Sequence, residues 1–148
     1  MKIIAVIGAR PNFVKIAALE KAFRPYPEVR FILVHTGQHY DPALNEIFFR
    51  QLDIPAPDFH LGVGSDSASR QLGNMLLGLE PVLKQEQPDL VLVVGDTTSA
   101  LAGALAASRV NIPVAHVEAG LRTHDLQAPF PEEFNRQVVS KLDRKSVV

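Results

Sequence analysis

The chain has 148 residues, with 15 Lys and Arg against 16 Asp and Glu, so no overall positive field draws it to nucleic acid or anionic lipid. Its 47% hydrophobic content suffices for one domain with a real core, yet no run approaches the roughly 18 apolar residues of a membrane helix. The absence of cysteine excludes disulfides, thiolate nucleophiles and Cys-ligated metal, and suits a cytoplasmic protein without requiring one.

Lys2-Ile-Ile-Ala-Val-Ile7 is a nearly continuous apolar run, as are Phe31–Val34 and Leu90–Val94; such runs predict parallel strands buried on both faces. Met1-Lys2 enters the first of them directly, without a cleavable signal. Gly8-Ala9-Arg10-Pro11 joins that strand to a helix running to about Phe23. Arg10 there lies beside free backbone N–H groups, which makes an anion site, or it is an exposed loop arginine with no ligand. The dinucleotide fingerprint needs glycines where Arg10 and Phe13 stand, so NAD is disfavoured.

His35-Thr36-Gly37-Gln38-His39-Tyr40-Asp41 follows the second strand and gathers groups able to bond sugar hydroxyls or phosphates. A metal reading of His35 and His39 needs a helix, and Gly37 predicts a loop. A helix is predicted for Pro42–Leu52, then an irregular Asp53–Asp66 connection with room for a short strand around Phe59. From Ser67 to about Glu86, Leu72, Met75, Leu76, Leu79, Val82 and Leu83 recur at helical spacing, so one face packs on the sheet.

Gly95-Asp96-Thr97 follows the Leu90–Val94 strand; Asp96 or Thr97 caps the alanine-rich helix up to Val110, or Asp96 serves a ligand. The Val114–Val117 strand holds His116, which reads as a packed core histidine, and Glu118 and Arg122 stand just past its end. Ligands bind at that edge of an open α/β sheet. If the two strands are neighbours, Asp96 and Glu118 share one crevice. Pro131-Glu132-Glu133-Phe134-Asn135-Arg136 reads as a helix start with acids in its first turn, ordinary dipole complementation when taken alone. The loop from Gly120 brings Glu132 back towards Glu118, with Arg122 and Arg136 to offset the negative charge. Beyond Leu142 the helical pattern ends with no cap or following strand, which predicts a domain of 1–142 and a truncated or foreign tail at 143–148. The alternation of strands and helices predicts an α/β fold, a Rossmann-like doubly wound parallel sheet.

Taken together, Gly8-Ala9-Arg10-Pro11, His35 to Asp41, Gly95-Asp96-Thr97, His116-Val117-Glu118-Ala119-Gly120-Leu121-Arg122 and Pro131 to Arg136 resemble the non-hydrolysing UDP-N-acetylglucosamine 2-epimerases. The resemblance runs from Met1 to about Leu142. It implies the N-terminal half of a type-B glycosyltransferase fold, with the C-terminal domain absent and the chain alone inactive. The implied reaction inverts C2 of UDP-N-acetylglucosamine, giving UDP-N-acetylmannosamine through UDP elimination and re-addition, without metal or redox cofactor. Asp96, Glu118 and Glu132 would be the catalytic carboxylates, in an order left unassigned. Arg10, Arg122 and Arg136 would bind substrate, and Gln38 and His39, with Arg70 a weaker candidate, would bind UDP-N-acetylglucosamine as an activator. A homodimer in the complete protein, a cytoplasmic location and precursor supply for polysaccharide follow from the same likeness. The alternatives are a nucleotide-sugar glycosyltransferase half, a 2-epimerase for a diacetamido uronic acid UDP-sugar, and a flavodoxin-like binding module.

Overall fold

The computed structural model describes residues 1–38, 47 and 49–147, with backbone alone at 10 and 145–147. Within them the strands are β1 (Lys2–Ile7), β2 (Arg30–His35), β3 (Phe59–His60), β4 (Leu90–Val94), β5 (Val114–Val117) and β6 (Lys145–Val147). The helices are α1 (Arg10–Phe23), α2 (Ala68–Glu86), α3 (Thr98–Arg109) and α4 (Glu132–Leu142). The helix predicted for 42–52 lies largely outside the described residues; at 49–52 the backbone is helical.

The sheet runs β3-β2-β1-β4-β5-β6 and every pairing is parallel. This is the doubly wound Rossmann-like order. The chain builds outward from β1 through β2 to β3 and then crosses to β4 on the other side of β1. The carboxyl ends of β1 and β4 therefore splay apart, and a crevice opens there.

The continuous apolar runs have a direct cause, since alternate residues of one strand serve different cores. Ile4, Val6, Ile32, Val34, Val91 and Val93 pack with Met75, Leu79 and Leu83 of α2, with the buried alanines of α3, and with Val139 of α4. Ile3, Ala5, Ile7, Leu33, Leu92 and Val94 pack on the opposite face with Phe13, Ile16 and Ala17 of α1. All six residues of the predicted α2 face join the first core, as expected. Burying one such side chain fully is worth about 1.5–3 kcal/mol.

The short strand expected near Phe59 is present as β3, on the edge beside β2. The stretch after Leu142, expected to be a tail without a strand, instead continues the sheet: Arg144 N donates to Val114 O at 2.9 Å and β6 pairs with β5. Three residues are too few for alternation to show in a sequence, and Asp143-Arg144-Lys145 masks the strand with charge.

Candidate active site

The carboxyl ends of β1, β2, β4 and β5 converge at the crevice, and their loops are tied together by polar side chains. Gly8 permits this closeness: a Cβ there would lie 2.0 Å from Ser99 Oγ and 2.2 Å from Thr36 Oγ1. Those hydroxyls bond each other at 2.8 Å. The Gln38 side chain reaches the same place, its Oε1 accepting from Ser99 N at 3.0 Å and Ser99 Oγ at 2.7 Å. Asn12 spans the crevice floor, donating to Val94 O at 3.0 Å from a side chain buried within α1.

Thr97 is the cap of α3, its Oγ1 accepting from Ala100 N at 3.2 Å. Capping therefore does not occupy Asp96. Its carboxylate pairs with Arg136, and its carbonyl accepts from Asn135 Nδ2 at 2.7 Å. Asp96 and Glu132, the first residue of α4, both line a cavity of about 420 Å³ together with Ala9, Pro11, Gln38, Thr97 and Asn135.

Glu118 stands at the end of β5, the strand paired with β4. Its φ of +65° places it in the left-handed region, which an ordinary residue enters at a cost of about 1–2 kcal/mol. The carboxylate pairs with Lys15 of α1, and a Cβ on Gly95 would lie 3.4 Å from its Oε2. Gly95 itself has φ +69°, so a side chain there would be strained and would stand in contact with that carboxylate. Asp96 and Glu118 thus occupy neighbouring strand ends, as their sequence positions suggested, but different cations hold them.

The remaining expected residues are distributed unevenly. Arg136 joins the site, pairing with Asp96 and lying 3.5 Å from Glu133. Arg122 turns away from the cavity: it donates to Ala119 O at 2.8 Å and Leu121 O at 2.6 Å, and to Ser140 Oγ. It lines a separate hollow of about 260 Å³ with His124, Gln137, Ser140 and Lys141. Arg10 is the first residue of α1 at the crevice. Arg70 is exposed near the start of α2, and the adjacent Gln71 donates to Gly64 O at 2.8 Å and Gln38 O at 3.4 Å. His39 lies outside the described residues.

Sequence reasoning passed over Lys15, Asn12 and Glu133. The first two sit on α1 at positions 12 and 15, one turn apart, but only the β1-β4 neighbourhood shows what they face. Glu133 looked like the twin of Glu132, yet a helix separates consecutive residues by 100° and the two have different fates. Glu133 is fully buried, accepting from Gln137 Nε2 at 2.9 Å, Thr123 N at 2.9 Å and His124 N at 3.3 Å. These donors, the Gln137 amide first and the Thr123 backbone next, hold its carboxyl down to about 2 against the cost of burial. His35 is also structural: its Nδ1 accepts from Gly37 N at 3.0 Å and its ring stacks on His60 at 4.9 Å. Burial first, and His60 second, push it down to about 4.

The family model described as UDP-N-acetylglucosamine 2-epimerase matches residues 21–146. The chain belongs to this family. A UDP-N-acetylglucosamine 2-epimerase homolog of Methanococcus maripaludis is 52% identical over 142 residues, 96% of this chain and 39% of that relative. The Pseudomonas aeruginosa UDP-2,3-diacetamido-2,3-dideoxy-D-glucuronate 2-epimerase is 48% identical, over 96% of this chain and 40% of its own length. Among solved structures, the Methanocaldococcus jannaschii UDP-GlcNAc 2-epimerase in complex with UDP-GlcNAc and UDP superposes with a TM-score of 0.91 at 41% identity, covering 97% of this chain and 39% of that one. The chain therefore spans about two-fifths of these family members, as the Rossmann-like N-terminal half of the type-B glycosyltransferase fold.

Proposed function

We propose that this chain supplies the carboxylate-bearing half of a UDP-N-acetylglucosamine 2-epimerase, which inverts C2 in the complete protein and is inactive without its other half. The observation that carries the reading is the convergence of Asp96 and Glu132 on one cavity of about 420 Å³, with Glu118 at the next strand end. Several acids around a sugar-sized space suit proton transfer and cation stabilisation better than phosphate binding.

The chemistry explains why acids are needed. C2–H of the sugar has no adjacent carbonyl and is barely acidic, so direct deprotonation is excluded. Breakage of the anomeric C–O bond comes first: its electron pair leaves with UDP, the ring becomes oxocarbenium-like, and a carboxylate then removes the C2 proton. The products are UDP and 2-acetamidoglucal. Return of a proton to the opposite face from a second acid, and of UDP to C1, completes the inversion without net oxidation or loss of atoms. Asp96, Glu118 and Glu132 divide these duties, while Arg10 and Arg136 serve the phosphate and charge side of the crevice and Arg122 braces the loop after β5.

The test is turnover of UDP-N-acetylglucosamine by the complete protein in D2O. Deuterium at C2 of substrate and product is expected, and epimerisation with C2–H fully retained overturns the reading. Asp96→Asn, Glu118→Gln and Glu132→Gln are each expected to lower kcat by roughly 10²–10⁴ while leaving UDP affinity nearly unchanged, since the lost interactions belong to the transition state. The Pseudomonas aeruginosa relative supports a second reading, in which the sugar is the 2,3-diacetamido uronic acid; the higher kcat/KM of the two UDP-sugars decides.

The same reading makes Gln38, His39 and Arg70 an activator site for UDP-N-acetylglucosamine, in a homodimeric cytoplasmic enzyme supplying polysaccharide precursors. Cooperative kinetics follow from it, and Gln38→Ala is expected to abolish them.

A further inference from the structure

We infer that His116 is a positioning residue that aims the Gly95–Asp96 turn into the cavity. Its consequence for catalysis rests on the epimerase reading; the contact itself does not. His116 is a fully buried residue in the middle of β5, and its Nε2 lies 2.7 Å from Gly95 O. A carbonyl oxygen can only accept, so Nε2 carries the hydrogen. Among the described residues the other ring nitrogen, Nδ1, has no hydrogen-bond partner; Asp143 Oδ2 stands 3.9 Å from it, beyond hydrogen-bond reach.

α4 grips the turn from its N-terminal end, where Asn135 donates to Asp96 O and Arg136 pairs with the Asp96 carboxylate. His116 of β5 holds Gly95 O from the other side. The two consecutive carbonyls of the turn are therefore fixed by side chains, while Gly95 N donates to Val117 O at 2.9 Å. Without the Nε2 donor, a buried carbonyl is left unsatisfied and the turn rotates to find a partner, carrying Asp96 with it.

The experiment compares His116→Leu and His116→Gln in the complete protein. Glutamine places an N–H donor near the position of Nε2, whereas leucine has none. The leucine variant is expected to lose roughly tenfold or more in kcat with KM changed less than about threefold, and the glutamine variant to recover most of the loss. Equal kcat in both variants and the parent overturns the proposal, as does a leucine variant that loses only substrate affinity. Selective 15N-histidine labelling of the unsubstituted protein gives an independent answer, which stands if the leucine variant fails to fold. A protonated, hydrogen-bonded His116 Nε2 is expected; a bare Nε2 sinks the inference. If the unsubstituted protein epimerises neither UDP-sugar, the functional reading fails while the labelling result still decides the His116 contact.

Discussion

Gly8 and Thr97 show how single residues shape the site by what they leave room for. Gly8 stands where β1 passes into α1, and the reason for glycine is steric: Thr36 and Ser99 meet where a side chain would stand. Those two hydroxyls also bond one another, so they cannot both retreat. Gly8→Ala is accordingly expected to destabilise the domain by about 1–3 kcal/mol in urea unfolding, and stability equal to the parent would show that the hydroxyls can repack. Thr97, by taking the cap of α3, answers a question that composition left open, because either Asp96 or Thr97 is a chemically adequate cap. Only the backbone geometry at the end of β4 shows which one is free for the cavity.

Among the elements, α4 contributes most to the arrangement, because its successive residues point to different tasks. Glu132 faces the cavity, Glu133 is buried beneath the Thr123–His124 loop, and Arg136 returns to Asp96. The depressed Glu133 carboxyl has a measurable consequence. An unfolded glutamate titrates near 4.3, whereas Glu133 is held at about 2, so the folded state favours its ionised form. That contribution is complete above about pH 4.3 and disappears as pH falls towards 2. Relative to the parent, Glu133→Gln is expected to be less stable at neutral pH and to lose less stability between pH 5 and 2. A parallel pH dependence in the two proteins, measured by denaturant unfolding at each pH, would show that the Thr123 and His124 amides do not favour the charged form. The sequence marked this helix start correctly, at Pro131 and Glu132, yet gave Glu133 no task of its own, because the separation of the two glutamates is rotational.

For the whole molecule, the crossover from β3 to β4 is what converts separate loops into one crevice. Polar residues after four apolar runs were visible in the sequence, but their meeting depends on β1 and β4 being neighbours and on β5 lying beside β4. If the crevice holds the nucleotide in the complete protein, ligand must stabilise the folded state by mass action. UDP at about one hundred times its Kd is expected to add about 2.7 kcal/mol, read as a rise in Tm; no rise at UDP concentrations that saturate turnover would show that the folded state does not bind the nucleotide in preference to the unfolded chain.

The sequence by itself determined the alternation of strands and helices, the apolar face of α2, and the family, because these depend on local period and on residue order along the chain. It also brought Asp96 and Glu118 forward as candidates, since charge directly after a buried strand is costly without a task, and Glu132 by the family resemblance of the Pro131–Arg136 run. Tertiary structure alone decided that Lys15 pairs with Glu118, that Arg122 braces a loop while Arg136 serves Asp96, and that Asp143 meets His116. Residues 15 and 118, or 116 and 143, are distant in sequence and carry no local pattern linking them. Their proximity follows from the order in which parallel strands assemble, and a hydrogen bond or ion pair depends on distances of a few ångströms that only that assembly sets.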